Sequence, residues 1–98
     1  MKDFDYQQLN DIIHSRIRLA IMSVLITLEE AEFKFLKEKV NTTDGNLSVH
    51  LKKLEDAKYI NVKKEFVERK PVSSYQLTDK GKEAFEHYIK KLESLIKK

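Results

Sequence analysis

The sequence predicts a mainly α chain that carries one small β-hairpin, and three observations predict it. Only two glycines and one proline occur in 98 residues, so breakers of helix are scarce. Apolar residues recur at steps of three and four over most of the length. Between Tyr59 and Leu77 that spacing gives way to apolar–polar alternation on either side of a charged segment.

Taken in order, Asp5–Asn10 reads as a short helix. Ser15 is placed to cap the first strong one. Ile17, Ile21, Val24, Leu25 and Leu28 then line one face, Ile13 extends it backward, and Arg16 and Arg18 flank it. Glu29 and Glu30 end the run. In Glu32–Val40, Phe33, Leu36 and Val40 share a face while Lys34, Lys37, Glu38 and Lys39 point outward. Asn41 breaks the helix, Thr42 or Thr43 caps the next, and Asp44 suits its positive N-terminal end. Residues 43–57 form that next helix, with Leu47, Leu51 and Leu54 at i, i+4 and i+7. Tyr59–Lys64 reads as a strand, Glu65–Pro71 as a loop, and Val72–Leu77 as the return strand, giving a hairpin over 60–77. Thr78 caps a last helix whose apolar set is Phe85, Tyr88, Ile89, Leu92, Leu95 and Ile96. That set has the spacing of a heptad-like seam. It is wide for a helix at the end of a small domain, and it is expected to be a dimer interface rather than monomer core.

The length suits one domain with a single core. We take residues 1–98 as one unit, with 1–77 as core and hairpin and 78–98 as a dimerisation helix. Hydrophobic residues make up 41% and charged ones 36%, the balance of a folded, highly charged chain. There is no cysteine, which removes disulfides and thiolate metal sites. No apolar run approaches the ~20 residues of a membrane span. Nor does Met1-Lys2-Asp3-Phe4-Asp5-Tyr6 follow the pattern of a signal peptide. A cytoplasmic protein with no membrane association is expected.

The net charge is +3, and its distribution matters more than its size. Residues 1–60 hold 9 Lys/Arg against 10 Asp/Glu, whereas residues 61–98 hold 10 against 6. The basic excess therefore lies after the 43–57 helix. Local attraction for a polyanion is one reading, and an ordinary solvated surface is the other.

Opposite its leucines, the 43–57 helix carries Asn46, Val49, Lys52 and Lys53. An amide can pair bidentately with adenine, a small apolar group can meet a thymine methyl, and cations meet phosphates. Asn46, Val49 and Lys53 are the candidate base or groove contacts. Thr43, Ser48 and Lys52 are candidate phosphate contacts, because hydroxyls, cations and helix N-termini all donate to phosphate oxygens. His50 borders the leucine stripe and fits a half-buried or phosphate-contacting role better than a metal site. His14, His50 and His87 stand far apart, with no i, i+4 pair to hold zinc. In the hairpin, Lys63, Lys64, Arg69 and Lys70 are candidate backbone contacts, with Arg69 able to enter a minor groove. The competing explanation for these four is charge that protects a sheet edge.

Two short helices joined by a few residues and followed by a charged hairpin give the order of a winged helix-turn-helix. Four segments resemble the small winged-helix transcriptional regulators, close to the arsenical-repressor and multiple-antibiotic-resistance-regulator types. His14–Ile21 resembles their first-helix signature. Leu47–Ile60 resembles their recognition helix running into the first wing strand. Glu68-Arg69-Lys70-Pro71 sits where their wing lies, and Leu77–Lys82 resembles the junction into their C-terminal helix. The resemblance covers about Asp5 to Phe85. It implies a stand-alone homodimer that binds double-stranded DNA at an inverted repeat, with 43–57 in the major groove and 60–77 on the backbone or in the minor groove. The cysteine ligands of many arsenical-type repressors are missing, so thiolate metal sensing is not implied, and no cofactor is expected. No polar cluster marks an effector pocket.

An enzyme is disfavoured. Gly45 and Gly81 cannot build a phosphate-cradling loop, and there is no nucleophile elbow or His-Glu-x-x-His run. The alternative is a winged helix that contacts proteins without specific DNA binding, since fold does not fix function.

Overall fold

A computed structural model describes residues 9–96. The element order is α1 (Arg16–Thr27), β1 (Ala31–Glu32), α2 (Phe33–Val40), α3 (Asp44–Asp56), β2 (Ile60–Val67), β3 (Lys70–Leu77) and α4 (Asp79–Ile96). The fold is mainly helical, with three antiparallel strands in the spatial order β1-β3-β2. Among the described residues no helix is long and apolar enough to cross a membrane. The short helix expected at Asp5–Asn10 falls largely on residues outside those described. Asn10 itself sits in a turn, where its side-chain oxygen accepts from the amides of Ile12 and Ile13 at 2.8 and 3.1 Å.

Ser15 caps α1 as expected, its hydroxyl accepting from the Arg18 amide. The buried face of α1 is rotated from the expected one. It consists of Arg18, Ile21, Met22 and Leu25, while Ile17 and Val24 are half-buried and Leu28 is exposed. An arginine on the inner face is possible because its guanidinium finds polar partners there, described below.

In α2, Leu36 is buried, with Phe33 and Val40 packed beside the core. Asn41 ends the helix in the left-handed region (φ 58°), a conformation asparagine tolerates better than most residues. Three residues later α3 begins. The Thr43 hydroxyl accepts from the Asn46 amide at 3.1 Å, and Leu47, Leu51 and Leu54 are driven fully into the core. These leucines meet Ile13, Ile21, Met22, Leu25, Leu36 and Ile60 in one cluster. Burying each removes roughly 1.5–3 kcal/mol worth of apolar surface from water.

The end of α3 is a Schellman motif. Tyr59 N–H donates to the Leu54 carbonyl at 3.0 Å and Lys58 N–H to the Glu55 carbonyl at 2.9 Å, with Lys58 at φ 68°. Tyr59 is then tied on three sides. Its hydroxyl accepts from Asn10 Nδ2 at 2.8 Å. Its carbonyl accepts from Thr78 N–H at 3.0 Å. Gly81 lies so close that a Cβ there would fall 2.1 Å from that same oxygen. Thr78 completes the joint, its hydroxyl donating to the Lys58 carbonyl at 2.7 Å and accepting from Gly81 N–H at 2.9 Å. The expected cap of the last helix thus also fastens it to the end of α3.

The hairpin corrects the expected loop at Glu65–Pro71. The strands continue through it, and only Glu68 and Arg69 turn the chain, both at positive φ (51° and 67°). That is the two-residue turn whose twist matches the strands. Phe66 pairs with Pro71 and Val67 with Lys70. Pro71 tolerates its place because β1 pairs only Tyr75 and Ser74, so the outer edge of β3 at Pro71 needs no N–H.

Candidate nucleic-acid interface

The face of α3 opposite its leucines is open. Asn46, Ser48, Lys52 and Lys53 are exposed, and Val49 at its centre is 55% exposed, so no part of the described chain covers it. Thr43 is exposed at the N-terminal end, its hydroxyl already serving the cap but still holding a proton to donate. The charge of the face is partly spent internally. Lys52 lies 3.1 Å from Asp56, whose hydrogen bond and charge hold the ammonium above its usual pKa. Asp44 pairs with Lys37 of α2 at 2.9 Å. Lys53 makes no ion pair among the described residues and is the free cation of the helix.

His50 sits on one shoulder of this face, a turn after Asn46 and just before Lys53. Its Nδ1 lies 2.8 Å from Nη1 of Arg18. Arg18 is only 9% exposed. Two further donors, Nε and Nη2, go to the carbonyls of Ile12 and, at 3.5 Å, Asp11. Burial, then the Arg18 charge, then Lys53 push the His50 imidazole below its usual pKa, so it is neutral at pH 7.

Alternation divides the wing cations that the sequence groups together. Cross-strand partners share a face. Ile60/Leu77 and Val62/Tyr75 face the core, and the same side continues outward as Lys64/Ser73 and Phe66/Pro71. Lys63/Ser74, Glu65/Val72 and Val67/Lys70 lie on the other side. There Lys63 is 3.5 Å from Glu65 and 4.0 Å from Glu30, so its charge is partly offset. Arg69 is at the tip. The structure therefore brings Lys64 and Arg69 to the core-side face and tip, and separates Lys63 and Lys70 from Lys64. Phe66, 78% exposed on that same side, is not marked out by the sequence, in which Glu65–Pro71 reads as a loop.

The set Phe85, Tyr88, Ile89, Leu92, Leu95 and Ile96 does not act as one free seam. Phe85 and Tyr88 are buried in the chain's own core, and the Tyr88 hydroxyl lies 2.8 Å from His14 Nδ1. Ile89 and Leu92 pack partly against that core, which leaves Leu95 half-buried and Ile96 at 76% exposed.

A helix-turn-helix whose second helix bares a polar face beside a two-stranded wing is the architecture of a winged-helix domain. The chain belongs to the winged helix DNA-binding domain family, which matches residues 17–96. It is 42% identical over 86 residues to an uncharacterised protein of Methanocaldococcus jannaschii, covering 88% of this chain and 94% of that one. Among solved structures it is similar to a transcriptional regulator homologue from Pyrococcus horikoshii, with a TM-score of 0.81 and 28% identity over 87% of this chain and 84% of the other. The fold is shared with the diamide-treated YodB of B. subtilis, at TM-score 0.71 and 22% identity over 81% and 77% of the two chains. These likenesses place the chain in the winged-helix fold of that family.

Proposed function

We propose that this protein is a sequence-specific, double-stranded-DNA-binding regulator of transcription that acts as a homodimer in the cytoplasm. In this reading α3 enters the major groove, with Asn46, Val49 and Lys53 toward the base edges. Thr43, Ser48, His50 and Lys52 meet the flanking phosphates. The wing follows the backbone or minor groove through Lys64 and Arg69, with Lys63 and Lys70 as weaker, longer-range attraction. Residues 1–77 read DNA, and α4 joins two copies through Ile89, Leu92, Leu95 and Ile96. The observation that carries this is the uncovered side of α3: its leucines are sealed inside while Val49 and its polar neighbours face out beside a projecting hairpin. An apolar residue held in solvent at the centre of a polar helix face fits a thymine methyl.

Selection of bound duplexes from a random library, with affinity followed across salt, tests the proposal. An enriched inverted repeat with half-sites about one helical turn apart, and affinity falling steeply with salt, is the expected result. A second reading, a protein-contacting winged helix, draws support from Phe66 and Val67, both exposed at the wing tip. Failure of any duplex to enrich, at low salt as at high, would favour it.

A further inference from the structure

We propose that Arg18 is a positioning residue that fixes His50 as its Nε2–H tautomer, so that the recognition helix presents a neutral N–H donor to a DNA phosphate. This rests on the DNA-binding reading above and adds a residue outside α3 to it.

A guanidinium can only donate hydrogen bonds. At 2.8 Å from Arg18 Nη1, the His50 Nδ1 must therefore be the acceptor, and the ring proton must sit on Nε2. Protonating the ring would put a hydrogen on Nδ1, facing the donor. Arg18 cannot swing away cheaply, because it is buried in α1 and bonded to the carbonyls of Ile12 and Asp11. Those carbonyls belong to the turn that Asn10 closes. Among the described residues Nε2 has no hydrogen-bond partner, and no buried side-chain nitrogen or oxygen lacks one. Nε2 thus reaches solvent. It does so on the shoulder of α3 beside Asn46 and Lys53, not at the centre of the face. A helix lying in the major groove turns its centre to the bases and its shoulders to the phosphate backbones. A neutral N–H there meets a phosphate oxygen without adding to the counterion-dependent part of binding. The charged groups acting on His50 are Arg18 from α1 and Lys53 from its own helix, and both oppose its protonation.

The test has two parts. In the free, full-length protein labelled with 15N-histidine, long-range 15N–1H correlation should show His50 protonated on Nε2 at pH 7 and titrating below 6.5. Arg18→Met should raise that titration and mix the tautomers. An Nδ1–H ring in the wild type, or a titration at or above 6.5, would overturn the proposal without any variant having to fold. The second part measures affinity for a labelled duplex recovered from the random library. His50→Ala should weaken binding about 10- to 100-fold, the worth of one hydrogen bond from a neutral donor to a charged phosphate oxygen, and His50→Gln, which restores an N–H near Nε2, should recover most of it. The slope of affinity against salt should stay unchanged in both. If the wild type binds and His50→Ala binds equally well, this inference fails and the DNA-binding reading survives. If no duplex is bound by the wild type, both fail together.

Discussion

Replacing Gly81 with alanine sets two effects of opposite sign against each other in α4. Alanine is the better helix former, by about 1 kcal/mol in a helix interior. Against that, its Cβ would stand 2.1 Å from the Tyr59 carbonyl oxygen and 2.9 Å from its carbon. Both are backbone atoms, so no side chain can rotate away, and one element must retreat by at least about 1.3 Å to bring the 2.1 Å approach to an ordinary contact of 3.4 Å. Overpacking of this kind costs about 1–3 kcal/mol. The retreat also stretches the Thr78 N–H bond to Tyr59 and the Thr78 hydroxyl bond to Lys58, each worth about 0.5–1.5 kcal/mol. The clash outweighs the propensity, for a net loss of about 1–3 kcal/mol and a Tm lower by ~4–8 °C per kcal/mol in a domain of this size. Circular dichroism melts at fixed protein concentration measure it. Gly45→Ala is the control, since a Cβ at Gly45 has nothing within 4 Å and should gain about 0.5–1 kcal/mol. A Gly81→Ala protein as stable as Gly45→Ala would refute the close approach of α4 to Tyr59.

Asn46→Ala should cost about 1–3 kcal/mol against the preferred duplex and relax selection at one base position; equal losses on every sequence would remove it from base reading. Arg69→Ala should lower the salt slope of binding by about 1, and Lys63→Ala by clearly less because Glu65 and Glu30 already offset its charge. Equal slopes for the two would contradict the division of the hairpin into faces. Ile96→Asp places a charge on the most exposed apolar residue of α4 while sparing the monomer core. It should dissociate the dimer in sedimentation with little change in the melt at low concentration; a persistent dimer would locate the interface elsewhere. Because His50 is held below its unfolded pKa of about 6.5, the unfolded chain binds the proton more readily. His50 therefore contributes stability above pH 6.5 that is lost as the pH falls toward its lower folded value, and His50→Gln should flatten that part of the pH–stability curve.

What the sequence made legible was the periodic part of the molecule. Leu47, Leu51 and Leu54 identify both the helix and its buried side, and from them follows which side is free. Ser15, Asn41, Thr43 and Thr78 mark boundaries because their side chains satisfy or disrupt the backbone locally, with no need of tertiary partners. The misses share a different origin. Arg18 reads as surface because its three partners come from the turn before it and from α3, far along the chain. The wing turn at Glu68-Arg69 carries no glycine or asparagine, so nothing local announces positive φ. Strand β1 has two residues, too few to alternate, and exists because β3 offers it an edge. Phe85 and Tyr88 share the spacing of Leu92 and Ile96, yet only the packed chain decides that the first two serve its own core.

The junction at Tyr59 has a mechanical implication. One residue anchors the N-terminal turn, the last turn of α3, the first strand of the wing and the root of α4. In a pair joined through α4, each protomer would behave as a stiff crank, with an arm about 27 Å long at 1.5 Å per residue welded to its reading head. The distance between the two heads would then be set by where along the arms the copies clasp, not by any flexing at the elbow. Operators with altered half-site separation would have to be met by re-registering that clasp.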